Sequence, residues 1–158
     1  MSEVKINETE KNFTLATAIS NAVERAETGD NFMTEIVYNS FENTDKAQSA
    51  VYNAMMGGTC KPGDIIGEEV EIIGITITTG QCNTIFGDTS ENPEKIIKPC
   101  VTFFLSDGRT VSTLSNGLVR AVKLMFACGN IPTEETPFKC TFEQRTGKNG
   151  VFHTLKAL

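Results

Sequence analysis

Residues able to do covalent chemistry are sparse in this chain. The sole histidine, His153, lies in a β-rich stretch near the C-terminus, so a Ser-His-Asp or Cys-His pair would have to be built around one strand. Five cysteines, Cys60, Cys82, Cys100, Cys128 and Cys140, are spaced 22, 18, 28 and 12 residues apart. Without a CxxC pair this spacing suits neither a zinc site nor a disulfide framework, and small buried thiols in a reducing compartment are expected. Glu68, Glu69 and Glu71 could together attract Mg²⁺ as in a metal-dependent nuclease, but no partner acid is specified elsewhere. Gly57-Gly58 lacks the Lys-Ser/Thr context of a phosphate-cradling loop. The expectation is a protein without catalytic residues, metal or cofactor.

Binding chemistry is better represented. Single-stranded nucleic acid is held by bases stacked on exposed rings, at roughly 1 to 3 kcal/mol each, and by cations along the phosphates. Successive strand residues face opposite ways, so in Phe103-Phe104 one ring must point inward and the other outward. With Val101, Phe103 and Leu105 inside, Thr102, Phe104 and Ser106 face out. The same alternation buries Phe138, Cys140 and Phe142 and exposes Lys139 and Thr141. In the last strand Val151, His153 and Leu155 alternate with Phe152, Thr154 and Lys156 and either set could face inward; Phe152 and Lys156 are taken as the outward pair. Phe104, Arg109, Lys139, Phe152 and Lys156, with Arg120 and Lys123 in a helical stretch, are the candidate binding residues.

The net charge of −6 argues against such a partner, but its distribution does not. Residues 1–58 carry nine acids and four bases, and residues 59–94 seven acids and one base, whereas residues 95–158 carry nine bases and four acids. A sign asymmetry of this kind can place a positive field on an acidic protein.

The elements that must hold these residues follow from periodicity. Phe13, Ala16, Ile19, Ala22, Val23 and Ala26 suggest a weak amphipathic helix over 12–27, and residues 34–38 a strand or arm. Thr44 can cap a helix bearing Ala47, Ala50, Val51, Ala54 and Met55, stopped at Gly57-Gly58. Residues 70–79 read as a strand in which Gly74 marks a bulge or bend. Residues 80–99 read as a long polar loop of functional length. Residues 100–106 and 109–114 are strands joined by Asp107-Gly108, a turn expected to need positive φ at both positions. Ser115 caps a helix running to about Cys128 with Gly129 as its stop, and residues 138–144 and 151–156 are strands around a Gly-containing turn.

Five strands with one helix between the third and fourth is the order of the OB-fold. The expected class is therefore mainly β with some α: a five-stranded OB-like barrel over 59–158, preceded by an acidic, partly helical extension over 1–58. At 39% apolar and 22% charged residues the composition is that of a globular domain, and no window is apolar enough to span a membrane. The start, Met-Ser-Glu-Val-Lys, lacks the basic and apolar regions of a leader, so a cytoplasmic location is expected.

Asp64-Ile-Ile-Gly-Glu-Glu-Val-Glu-Ile-Ile-Gly74, Val101-Thr-Phe-Phe-Leu-Ser-Asp-Gly, Thr113-Leu-Ser-Asn-Gly-Leu-Val-Arg-Ala-Val, Gly129-Asn-Ile-Pro and Gly147-Lys-Asn-Gly-Val-Phe-His-Thr-Leu together resemble the small single-stranded-DNA-binding proteins of tailed bacteriophages. Tyr52-Asn-Ala is similar to a short lead-in of such proteins, so the resemblance covers about residues 52–158. It implies a barrel that coats single-stranded DNA in phage replication or recombination within the bacterial cytoplasm, with Phe104, Arg109, Lys139, Phe152 and Lys156 near the DNA and Arg120 and Lys123 beside them. Many such binders end in an acidic tail that recruits replication proteins, whereas this chain ends in Thr154-Leu-Lys-Ala-Leu158. The acidic material sits at the N-terminus instead, where it suits self-association or a protein partner; an OB-like protein-interaction or oligomerisation module is the rival reading.

Overall fold

A computed structural model describes residues 15, 17–24, 36–41, 45–55, 59–83, 90–91, 95–148 and 150–158. The order is helix α1 (17–24), strand β1 (Ile36–Asn39), helix α2 (Asp45–Met55), a 3₁₀ turn (Pro62–Ile65), β2 (Glu69–Asn83), β3 (Lys95–Leu105), β4 (Thr110–Thr113), helix α3 (Asn116–Ala127), β5 (Phe138–Gly147) and β6 (Gly150–Ala157). Phe13, Ala16, Ala26, Thr44 and Gly57-Gly58, invoked above for two helices, lie outside the described residues.

All strands join one antiparallel sheet in the order β4-β3-β2-β5-β6. The long β2 organises it. One edge pairs with β3 from Ile72 to Asn83, while the other pairs first with β5 over Glu69–Ile72 and then with β1 over Thr76–Thr78. The register slips between Ile72 and Gly74, at the place where the sequence reads as a bulge or bend.

Three expectations are corrected. First, the sheet has a sixth strand and is not closed into a barrel: among the described residues nothing pairs β4 with β6. The free edge of β6 is covered instead by the first turn of α3, where Gly117 lies so near the His153 carbonyl that a Cβ would overlap it. Second, residues 80–99 are not all loop. Gly80–Asn83 pair with Lys95–Lys98, and Pro99 is admitted opposite Thr79 because β4 reaches only Val101 and leaves that edge of β3 unpaired. Residues 84–89 and 92–94 lie outside the described residues. Third, only Gly108 in the β3–β4 turn has positive φ (93°); the amide of Gly108 donates to the Leu105 carbonyl and that of Leu105 to Arg109. This is a three-residue turn closed by a left-handed glycine, for which one positive φ suffices.

The inner face of the sheet carries Val70, Ile72, Ile75, Ile77, Val101, Phe103, Leu105, Cys140 and Phe142, all buried. Helix α3 covers it with Leu118, Val119, Val122, Met125 and Phe126, and α1 adds Ile19 and Ala22. Residues of the 1–58 extension thus share the core of the strands that follow. Ser115 is the N-cap of α3, though its side chain makes no capping bond, and Gly129 (φ 78°) ends the helix with its amide on the Phe126 carbonyl. Among the described residues no helix is long and apolar enough to cross a membrane.

Candidate nucleic-acid interface

Phe104 is on the outer face, paired with Gly74, but it is buried: 6% of its surface is accessible. The chain after β1 turns back over this face. The Asn39 side chain accepts the Phe41 amide (3.0 Å), and Ser40 bonds Ile75 twice, its amide donating to the carbonyl (3.0 Å) and its Oγ accepting from the amide (2.8 Å). Phe41 then fills the notch left by the absent Cβ of Gly74 and meets Phe104 edge to face at 4.7 Å, while Val51 of α2 packs beside them. The exposed stacking ring expected at Phe104 is therefore core. Around it Thr76, Thr78 and Thr102 are buried too, and the Thr76 hydroxyl has no hydrogen-bond partner among the described residues.

Arg109 is also not a free cation. Its guanidinium donates to both Glu68 oxygens (2.5 and 3.2 Å) and to Asp107 (2.8 Å), tying the β3–β4 turn to the start of β2. These bonds hold the Glu68 and Asp107 carboxyls below their ordinary range and raise the affinity of the guanidinium for its proton. One cation between two carboxylates is net negative, which removes Arg109 from the candidate phosphate contacts. It also occupies Glu68, and no cluster of three metal-ligating side chains occurs among the described residues.

The remaining candidates fall into two places. Lys139, Phe152 and Lys156 share the outer face of β5 and β6. Glu69, Thr141 and Lys156 form one cross-strand row, Glu71 and Lys139 the next, and Arg145 pairs with Phe152 toward the hairpin tip. From Lys139 to Arg145 this face extends about 20 Å, six residues at about 3.3 Å each. Phe152 is 40% exposed, one edge of its ring lying near Gly147 and the opposite edge near Gly117 of α3. Val151, at 60%, is exposed on the opposite side because the hairpin projects beyond the core.

This face is of mixed charge. Lys139 approaches Glu71 at 4.0 Å and Arg145 binds Glu143 at 2.9 Å, while Lys156 has no ion-pair partner among the described residues. Exposed pairs like the first contribute little and exchange readily for a phosphate. Arg145, not singled out in the sequence, belongs to the set: three alternations along β5 separate it from Lys139, a signal the period-two pattern carried.

Arg120 and Lys123 are elsewhere, on a polar stripe of α3 that begins at Asn116 and faces α1 across a cavity of about 620 Å³. Of the cysteines, Cys140 is buried and its thiol is pushed up to about 12 by desolvation; Cys100 is raised for the same reason, and Cys128, contrary to the expected burial, is exposed. No protein-family profile, curated protein or solved structure matches this chain.

Proposed function

We propose that this chain is a non-enzymatic single-stranded-DNA-binding protein of OB type that acts in phage DNA replication or recombination. The reading rests on one observation above all: Phe152 stands exposed on the same sheet face as Lys139 and Lys156, across from the Arg145–Glu143 pair. An exposed ring on a face that carries cations is what sequence-tolerant stacking requires.

The topology agrees with an OB descent without full closure. A three-strand meander (β2, β3, β4) is followed by a helix and then a hairpin whose first strand returns to pair with the first strand of the meander. The rival, a protein-interaction module built on the N-terminal extension, has less surface to use, because Leu15, Ile19, Phe41 and Val51 are occupied in the chain's own packing.

The test is fluorescence anisotropy of labelled oligo-dT at low and raised salt. Binding that weakens with a log–log slope of about −0.7 per phosphate contacted supports the reading. No binding at low salt removes it.

A further inference from the structure

The cavity between α1 and α3 has a different character from the sheet face. Val23 and Val119 supply an apolar lining, while Asn116, Arg120 and Lys123, at helical spacings of four and three, form a polar wall on α3. Glu24 stands on the α1 side. Arg109 and Arg145 are each bound to carboxylates, but neither Arg120 nor Lys123 has an ion-pair partner among the described residues. Two cations without an ion-pair partner among the described residues, set along an apolar trough of this size, suit a ligand with one flat apolar part and one strongly anionic part.

The place of the groove narrows the choice. The Phe152 ring lies beside Gly117, in the first turn of α3, next to Asn116 and one turn before Arg120. We propose that the groove is a nucleotide subsite continuous with the β5–β6 face. It takes one nucleotide of the same DNA strand, the base against Val23 and Val119 and the phosphate on Arg120 and Lys123. The inference rests on the function proposed above and adds to it a pocketed nucleotide, whereas Phe152 offers only an open stacking surface.

The experiment compares the full chain with an Arg120→Gln/Lys123→Gln variant, both changes on a helix surface to a residue of good helix propensity, and with Lys61→Gln as a control away from the groove. Each binds oligo-dT of about 4 and about 16 nucleotides, the range seen for single OB folds, and Val119 methyl shifts are followed by NMR. For the longer oligonucleotide, the double variant is expected to lose about 1.4 from its salt slope, two contacts at about 0.7 each. The Val119 methyl signals are expected to move when that oligonucleotide binds the parent chain. If the parent chain binds but the double variant keeps the full slope and the Val119 signals stay still, the subsite is overturned and the sheet-face reading stands. If the parent chain binds nothing, both fall.

Discussion

The ring of Phe41 occupies the space that a Cβ on Gly74 would fill, and from there meets Phe104 edge to face at 4.7 Å and 81°. This contact decides which phenylalanine is available for a ligand. It turns an outer-face ring into a core ring, so that of the two rings Phe104 and Phe152 it is Phe152 that stays exposed beside cations.

Gly74→Ala should therefore destabilise the fold by about 1 to 3 kcal/mol through overpacking against Phe41. Combined with Phe41→Ala the cost should be less than additive, since the smaller residue vacates the notch. Urea denaturation of the two single variants and the double variant checks this, and strict additivity would mean that the two residues do not meet.

Phe152→Ala should cost about 1 kcal/mol of stability, since the ring is only partly in solvent, and should weaken oligo-dT binding by about 1 to 3 kcal/mol, a 5- to 150-fold loss. Lys139→Gln should lower the salt slope by about 0.7. Anisotropy titrations at three salt concentrations measure both effects.

Arg109→Gln should leave binding and its salt slope unaltered, since the guanidinium is engaged by Glu68 and Asp107. Its effect should appear in acid. Both carboxyls are held below their ordinary values of 4.5 and 3.8, so the unfolded chain takes up protons first as pH falls. The stability they contribute is present above the ordinary range and is lost as pH drops through the lowered folded values. Removing the guanidinium abolishes that depression, and the pH dependence of unfolding below about pH 5 should become shallower. Denaturant midpoints between pH 3 and 7 for both proteins test the sign.

Thiol labelling should separate the cysteines by burial. Cys128, exposed at the end of α3, should react with a thiol reagent in the native state, whereas Cys140, buried and raised to about 12, should react only on unfolding. Peptide mapping after brief alkylation at pH 8 distinguishes them.

Much of the frame was legible because it is local. Ser115 and Gly129 bracket α3, Gly74 marks the register slip in β2, and alternation groups Phe152 with Lys156, although only the β5–β6 register puts that pair on the face of Lys139. What escaped was non-local. Alternation says that Phe104 faces away from Phe103, but not that a segment more than sixty residues upstream covers that face. Counting cations likewise misses that Arg109 meets Glu68, 41 residues earlier in the chain. The extent of the β2–β3 ribbon was hidden by Gly80 and Pro99, which read as loop residues until pairing across the ribbon is known.

The central claim is that single-stranded DNA lies on the β5–β6 face against Phe152. Ultraviolet cross-linking of a bromodeoxyuridine-substituted oligonucleotide at low salt, followed by peptide mapping, tests it most directly. The account predicts a principal cross-link in the peptide containing Phe152, lost in Phe152→Ala; cross-links confined to residues 1–83, or none at all, would contradict it.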